Sequence, residues 1–417
     1  MSSQDKKRGR GKSGARRAAA GMLAAIERGK TLDEARDRLD PLKGSDRNLA
    51  DAIVQTALRH YGEIDALVRT HVKKMPPRNS LARVLLFIGA AQLLYMKVPP
   101  HAAIDETVSA TGRREQPYRG LINAVLRNLA RAQQAATLPA PDPLKNIPDW
   151  LRDNWLAHYG DEKTAALAAS LATPPPLDLC FVTPRTGHNW AQAHGGNFIA
   201  PSHIRLDAAQ DVTALPGFAE GAFWMQNAAA GQPAAQICAA LAAPSTVLDM
   251  CAAPGGKTLQ LAAAGHTVTA LDISASRLKR LEENLARTGF EARLVCADAL
   301  AWNAPQLFDA VLLDAPCTAT GTLRRHPDVL RHRSANQMDK LIALQKQLLA
   351  RAADHVKPGG FLAYAVCSLQ PQEGEMQLED FLATRSDFTK HDSDAENRFT
   401  PDADMDGFFV SVMQKKP

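Results

Sequence analysis

The 417-residue chain has few cysteines, and their spacing excludes two kinds of protein. Six occur, at positions 180, 238, 251, 296, 317 and 367. No two have the spacing of the Cys-x-x-Cys or Cys-x-x-His pairs that hold structural zinc. Thiols so thinly spread do not suit a disulfide scaffold either, and we expect them to be reduced.

Long apolar segments are absent as well. No run of 18 apolar residues occurs, and the basic N-terminus lacks the apolar stretch of a signal peptide. We therefore expect a cytoplasmic protein with no membrane partner.

Positive charge is concentrated at the N-terminus. The stretch MSSQDKKRGRGKSGARR carries seven Lys or Arg residues and one Asp, whereas the whole chain has a net charge of only +5. This asymmetry suits an arm that follows phosphate backbones. A solvated tail that binds nothing specific is an equal alternative.

Helical and strand patterns divide the chain into three predicted parts. Residues 1–140 show the apolar spacing of helices, as in SLARVLLFIGAAQLLYMK, and predict an all-α bundle. The proline-rich stretch ATLPAPDPLKNIPDW ends the bundle, and residues 141–207 form a linker and a small α+β segment. In residues 208–417 helices alternate with short apolar strands, which predicts a Rossmann-like α/β domain with a mostly parallel sheet.

Acidic residues and cysteines recur where the predicted strands of the third part end. They are Cys251, Asp272, Asp298, Asp314, Cys317 and Cys367. Doubly wound sheets bind their ligands at the carboxyl ends of the strands. We therefore expect these residues to lie around one site.

The stretch VLDMCAAPGGKT predicts a tight turn between a strand and a helix. Its small residues would let backbone N–H groups approach a ligand, and Asp272 ends the next strand as a ribose-binding carboxylate would. A phosphate-binding P-loop requires Gly where Cys251 stands, and the dinucleotide pattern G-x-G-x-x-G is missing. Neither ATP nor NAD is favoured, although a glycine turn needed only for packing remains an alternative.

The motifs LDMCAAPGGKT, LDIS, CADA, LLDAPCTATGTLRRHPD and YAVCSLQPQEGE, in this order, resemble the NOL1/NOP2/Sun family of S-adenosylmethionine-dependent RNA 5-methylcytosine methyltransferases. The helical part, including GLINAVLRNLAR, resembles a NusB-like RNA-binding domain. Together they are similar to the bacterial members that act on 16S ribosomal RNA. The resemblance implies methylation of carbon 5 of a cytosine in that RNA, by residues 208–417, through a covalent cysteine–cytosine intermediate.

The resemblance gives both strand-end thiols a task. Carbon 5 of cytosine is a poor nucleophile until a thiolate adds at carbon 6, and the thiolate must afterwards be expelled. By resemblance Cys367 is the nucleophile, and Cys317 assists its release. Asp314 would stabilise the adduct near N3 and the exocyclic amine, with a turn cap before Pro316 as the alternative.

S-adenosylmethionine is the cofactor that the resemblance implies. Asp272 would bind its ribose hydroxyls and Asp298 its adenine, with Asp314 also at the cofactor site. Lys257 could instead reach the target base or its phosphate. The contacts around methionine and ribose would come from the turn residues Cys251, Ala252, Ala253, Pro254, Gly255, Gly256 and Lys257. No metal is expected, since thiolate addition and sulfonium transfer need no Lewis acid.

Arg324, Arg325 and His326 follow Cys317 closely and are expected to hold RNA phosphates. A solvated charged loop is the alternative. Family members often carry Asp where this chain has Asn227. The remaining cysteines, Cys180, Cys238 and Cys296, are predicted to be core residues.

Three functions stay open at this point. The first is methylation of 16S ribosomal RNA by a monomer. The same chemistry could act on transfer RNA or on another ribosomal RNA site, because the catalytic part reads one flipped base while the other parts select the RNA. The third is an assembly or antitermination factor that binds RNA without methylating it.

Overall fold

The computed structural model describes the backbone of residues 3–206, 211–242, 244–391, 397–401 and 405–417, with side chains from residue 14 onward. The side chains of the basic N-terminal stretch before residue 14 and the predicted boundary after residue 207 therefore lie outside the described residues. The three-part division of the chain stays a prediction. None of the described helices is long and apolar enough to cross a membrane.

The chain forms two units. The first comprises Met1–Pro174 together with Leu323–Arg333, and the second comprises Pro175–Thr322 together with Ser334–Pro417. The secondary structure described for the first unit consists of helices, as predicted for the N-terminal part. Its α-helices are Ser3–Ile26, Leu32–Ala35, Gly44–Arg59, Tyr61–Thr70, Leu81–Leu94, Pro100–Ser109, Arg119–Gln134, Asp149–Ala172 and Val329–His332.

The helix Leu81–Leu94 forms the centre of this unit. Ser80 is its N-cap, and its side chain accepts a hydrogen bond from the N–H of Arg83 at 3.3 Å. Ala82 and every residue from Val84 to Leu93 are buried, because other helices of the bundle surround this helix. The helix Asp149–Ala172 is interrupted at Gly160, where φ is 72°.

The second unit contains two sheets. Its α-helices are Pro184–His194, Ala228–Ala240, Gly256–Ala263, Ala275–Thr288, Ala335–Asp354 and Glu375–Thr384. Its strands are β1 Leu177–Phe181, β2 Asn197–Ala200, β3 His203–Leu206, β4 Phe223–Met225, β5 Thr246–Met250, β6 Thr267–Asp272, β7 Arg293–Cys296, β8 Phe308–Asp314, β9 Val356–Val366, β10 Phe388–Lys390, β11 Arg398–Phe399 and β12 Phe408–Lys415.

The smaller sheet is antiparallel, with the order β2-β3-β1-β4. The larger has the order β10-β12-β9-β8-β5-β6-β7, with β11 paired to β12. The five strands from β9 to β7 run parallel, and only the edge that contains β12 is antiparallel. The predicted mostly parallel sheet is confirmed.

The strand order determines where a site can form. From β5 the chain crosses to β6 on one side and later returns as β8 on the other, so that β5 lies at the point where the sheet changes direction. Such a switch point opens a crevice at the carboxyl ends of the strands. Met250 is paired with Leu313, and Asp314 with Ala365. The segments that follow β5, β8 and β9 therefore leave the sheet side by side.

Asn227 has a structural task in this chain. Its side-chain oxygen accepts from the N–H of Ala229 at 3.0 Å and caps the helix Ala228–Ala240. Its amide nitrogen donates to Asp178 at 2.8 Å. An Asp at this position could cap the helix, but it would place a second carboxylate against Asp178 in place of a donor.

Candidate active site

Two thiols meet at the carboxyl ends of β8 and β9. The Sγ atoms of Cys317 and Cys367 are 3.5 Å apart, although fifty residues separate them in sequence. Cys317 is buried and Cys367 is half-buried. The structure thus brings together the two thiols that the sequence places at separate strand ends.

The protonation of Cys317 follows from these surroundings. Its pKa lies well above the usual thiol range, first because of the hydrogen bond with Cys367, then because of burial and the negative charge of Glu373. The proton therefore stays on Cys317 near neutral pH, where this residue can donate a hydrogen bond to the Cys367 sulfur.

Beside the thiols, Lys257 and Asp314 form an ion pair. Lys257 Nζ lies 2.7 Å from Asp314 Oδ2, and the lysine is only 9% exposed. Burial by itself would lower the pKa of Lys257, but the charges of Asp314, Asp249 and Cys367 outweigh burial and raise it. The lysine accordingly stays charged, and it neutralises the carboxylate next to the thiols.

The turn after β5 is built around unusual backbone angles. Cys251 has φ of 60° and Gly255 has φ of 106°. The N–H of Ala253 donates to Asp272 Oδ2 at 3.1 Å, and Arg277 binds both the same carboxylate, at 3.2 Å, and the carbonyl of Ala253. These contacts fix the predicted cofactor turn against the end of β6.

The residues at this turn fit a bound nucleoside with an adenine ring. Asp272 is only 2% exposed and accepts three hydrogen bonds or ion contacts, from Ala253, Ser274 and Arg277. A carboxylate has about four acceptor positions, so that one stays available for a ribose hydroxyl. Ile273, which the sequence did not single out, is 69% exposed directly after Asp272 and offers a flat apolar surface.

Gly255 cannot carry a side chain in this turn. A Cβ there would lie 2.1 Å from Leu281 Cδ1, in addition to the strain of a positive φ. We expect Gly255→Ala to lower the free energy of unfolding by about 3 kcal/mol and to weaken S-adenosylmethionine binding, as measured by denaturant unfolding and calorimetry. Gly265→Ala is the control, because Gly265 has φ of 86° but nothing within 4 Å of its Cβ position. Equal effects in both variants would contradict a role for the Leu281 contact.

Asp249 lies beneath the site and is fully buried. One carboxylate oxygen accepts from Thr258 Oγ1 at 2.6 Å. The other has no partner among the described residues. Burial raises the pKa of Asp249 from 3.8 to about 7. The folded protein therefore retains this proton at pH values at which the unfolded chain has lost it.

This pKa predicts a loss of stability with rising pH. The contribution of Asp249 is complete below pH 3.8, the pKa of the unfolded state, and is lost as the pH rises to about 7. Asp249→Asn, which cannot ionise, should gain about 2 to 3 kcal/mol relative to the parent protein between pH 5 and 7. Denaturant unfolding at several pH values measures the difference.

Asp309→Asn is the matched control for this titration. Burial raises the pKa of Asp309, but hydrogen bonds from Lys357 and Thr246 outweigh burial and lower this pKa to about 2. Asp309 therefore does not titrate above pH 5. Its stability difference from the parent protein should be constant over the window. A constant difference for Asp249→Asn as well would show that Asp249 does not titrate as expected.

Asp298 lies at the far side of the cofactor turn. It is exposed, and its Oδ1 accepts from the N–H of Leu300 at 3.0 Å in the turn after β7. Its position at a strand end agrees with the predicted placement. Its contact with adenine stays a prediction.

The predicted RNA contacts belong to the helical unit. Arg324 is 3% exposed, and its carbonyl accepts from Arg59 Nε at 3.1 Å and Nη2 at 2.9 Å. Nearby, Asp328 accepts from the N–H of Leu32 at 2.8 Å. His326 is exposed and Arg325 is half-buried. No local pattern indicates that this segment packs against helices almost 300 residues earlier. Its role in RNA binding stays a prediction.

The other cysteines are not all core residues. Cys180 is buried, and burial raises its pKa; Cys238 is half-buried, with its pKa raised to about 11 for the same reason. The prediction for Cys296 was wrong, because this residue is exposed. It ends β7, an edge strand that has a neighbour, β6, on one side only.

Comparison with known proteins identifies the family. The family model for the 16S rRNA methyltransferase RsmB/F matches residues 237–414, and the NusB family model matches residues 13–131. A Ribosomal RNA small subunit methyltransferase B from Xanthomonas campestris pv. campestris is 38% identical, over 96% of this chain and 97% of the relative. The chain belongs to this family. A family member from Cronobacter sakazakii is 33% identical, over 94% of this chain and 91% of its own length.

Membership of the methyltransferase B family confirms the resemblance seen in the motifs. It also identifies the chain as a methyltransferase with a NusB-type helical part. The crystal structure of the protein PH0851 has a TM-score of 0.75 over 97% of this chain and 99% of that chain, at 22% identity, and supports the fold. The atom methylated and the tasks of individual residues stay predictions.

Proposed function

We propose that this protein methylates carbon 5 of a cytosine in 16S ribosomal RNA, with S-adenosylmethionine as the methyl donor. The intermediate is a covalent bond between Cys367 and carbon 6 of the cytosine. The observation that carries the proposal is the 3.5 Å separation of two thiols beside the Lys257–Asp314 ion pair. A mechanism that used one nucleophilic cysteine would give no reason for a second cysteine beside it.

The residues that would hold the cofactor are those of the turn after β5, together with Asp272. When bound, S-adenosylmethionine supplies a methyl group activated by a sulfonium. The turn orients the cofactor through backbone groups that Asp272 and Arg277 fix in place. Ile273 contributes apolar contact to the adenine ring, and Asp298 lies within the same strand-end region.

Cys367 forms and releases the bond to the base. Its thiolate adds to carbon 6, and the ring becomes an enamine that is nucleophilic at carbon 5. After methylation a solvent water or hydroxide takes the proton from carbon 5, the double bond between carbons 5 and 6 re-forms, and the bond between carbon 6 and sulfur breaks to return Cys367 as a thiolate. The protonated Cys317 donates a hydrogen bond to the departing sulfur, which makes that sulfur a better leaving group.

Asp314 and Lys257 stabilise the adduct around N3. Lys257 holds Oδ2 of Asp314, which leaves Oδ1 to accept a hydrogen bond from the exocyclic amine of cytosine. The charged Lys257 then offsets the negative charge that addition at carbon 6 moves towards N3. In this arrangement Lys257 serves the target base rather than a phosphate.

Arg324, Arg325, His326 and the helical unit would bind the RNA around the target base. Because the proposed substrate is ribosomal RNA, we infer that the protein acts in the cytoplasm. The helical unit takes no part in the methyl transfer itself. The choice of RNA substrate can therefore be tested separately from the type of reaction.

The test uses methyl-labelled S-adenosylmethionine with protein-free 16S ribosomal RNA, 23S ribosomal RNA or transfer RNA. Mass spectrometry of the digested RNA identifies the labelled nucleoside. We expect labelled 5-methylcytidine from 16S RNA and none with a variant that lacks both Cys317 and Cys367. Label confined to another RNA would overturn the substrate, another labelled nucleoside would overturn the reaction, and no label on any RNA would favour the binding-factor alternative.

A further inference from the structure

A buried carboxylate lies behind the two thiols, and its charge helps to raise the pKa of Cys317. Glu373, in the stretch YAVCSLQPQEGE, is 0% exposed. Its Oε1 accepts from the N–H of Thr318 and from Gln345 Nε2, each at 2.9 Å. Its Oε2 accepts from Thr318 Oγ1 and, at 2.5 Å, from Ser368 Oγ. Four polar groups therefore converge on the two carboxylate oxygens, and Ser368 Oγ lies 2.9 Å from Gln370 Oε1 as well.

These donors flank both thiols in sequence. Thr318 follows Cys317, and Ser368 follows Cys367. A single side chain therefore holds the backbone segments that carry the two sulfur atoms. A buried carboxylate lowers the stability of the fold unless its hydrogen bonds are satisfied. An apolar residue would fill the same space without that requirement, so packing alone does not account for Glu373.

Gln345 extends the same network to the other side of Cys317. Its Nε2 donates to the carbonyl of Pro316 at 2.9 Å as well as to Glu373. The residues on both sides of Cys317 are thus tied to one carboxylate. In addition, the carbonyl of Cys367 accepts from the N–H of Gly321 at 3.0 Å, which links the two segments directly.

We propose that Glu373 is a positioning residue that holds Cys317 and Cys367 at the separation that bond formation and release require. It acts on the positions of the two sulfur atoms through its hydrogen bonds with Thr318 and Ser368. The proposal rests on the proposed two-thiol reaction, since a protein that used one thiol would have no need of a fixed distance. Reactions between held groups are sensitive to displacements of about 1 Å.

The first experiment measures the thiol geometry without catalysis. The full-length protein is equilibrated with glutathione redox buffers at fixed pH, and peptide mapping quantifies the Cys317–Cys367 disulfide. Its equilibrium with the dithiol reports the effective concentration of one thiol at the other. We expect Glu373→Ala to lower this effective concentration by about tenfold or more.

The second experiment measures methyl transfer by the same variants. Glu373→Ala should lower kcat about 100-fold while the Kd for S-adenosylmethionine stays unchanged. Glu373→Gln should recover most of the loss. Its Oε1 can accept as before, and the hydroxyls of Thr318 and Ser368 can rotate to accept from its amide. A purely structural role in folding would not give unchanged cofactor binding together with this recovery.

Asp309→Ala is the matched control. The Asp309 carboxylate also accepts three hydrogen bonds, from Thr246 N, Thr246 Oγ1 and Lys357 Nζ, but it lies at the start of β8, away from the end that carries Asp314. If Asp309→Ala loosened the thiol pair as much as Glu373→Ala, general destabilisation would explain the result and the proposal would fail. It would also fail if Glu373→Ala stayed within about threefold of the parent protein in both experiments.

If Glu373→Ala does not fold, Thr318→Val combined with Ser368→Ala removes the hydroxyl donors and leaves the carboxylate in place. The same loss of effective concentration is expected, and an unchanged value would overturn the proposal. Should the parent protein methylate no RNA, the proposed function fails while the disulfide equilibrium still decides whether Glu373 holds the thiols.

Discussion

Cys367→Ala is expected to abolish both methyl transfer and the covalent RNA adduct, whereas Cys317→Ala accumulates the adduct and turns over poorly. The reason is the order of events, since Cys367 forms the bond to carbon 6 and Cys317 acts only when that bond breaks. We expect turnover to fall on the order of 10⁴-fold or more in each variant. Denaturing gels detect the adduct, and single-turnover methylation measures the rate.

The matched control for this experiment is Cys238→Ala. Cys238 is a half-buried thiol on the helix Ala228–Ala240, outside the strand-end region, and its loss should leave both assays unchanged. An adduct that accumulates with Cys367→Ala and not with Cys317→Ala would exchange the two roles. If neither variant formed an adduct while both still methylated RNA, a covalent intermediate would be excluded.

The second large effect is expected at the ion pair. Asp314→Asn should lower kcat about 10²- to 10³-fold, because the adduct loses a charged acceptor near the exocyclic amine. The same change leaves the buried ammonium of Lys257 without its partner and should lower the free energy of unfolding by about 3 kcal/mol. Single-turnover kinetics and denaturant unfolding measure the two effects separately.

A second substitution separates stability from catalysis in this pair. Lys257→Met added to Asp314→Asn removes the uncompensated charge, and the double variant should regain stability without regaining activity. A double variant as unstable as Asp314→Asn alone would contradict the ion-pair explanation. Loss of activity smaller than about tenfold in Asp314→Asn would leave the carboxylate without the proposed task.

The strand-end residues could be predicted because each depends on a local pattern. An apolar run that ends in Asp314 or Cys367 is visible in the sequence, and parallel strands necessarily end at the same edge of the sheet. The lysine in the turn is equally visible. Its bond to Asp314 is not, since 57 residues separate the partners and either could have faced solvent.

The network of Glu373 was missed for a related reason. The motif that contains it is recognisable, but nothing in the sequence indicates that this acidic residue is buried while Glu375, two positions later, pairs with Arg398. Cys296 shows the opposite error. An apolar neighbourhood predicted burial, whereas the position of β7 at the sheet edge, which depends on strand order, exposes the residue.

The assignment of Leu323–Arg333 to the helical unit limits how the protein can be dissected. The chain passes between the two units three times, after residues 174, 322 and 333, instead of once through a linker. A truncation that removes residues 1–140 would also strip Asp328 and the carbonyl of Arg324 of their partners Leu32 and Arg59. The units are consequently not interchangeable modules: a chimaera carrying a foreign helical unit would need a matching segment grafted between residues 322 and 334.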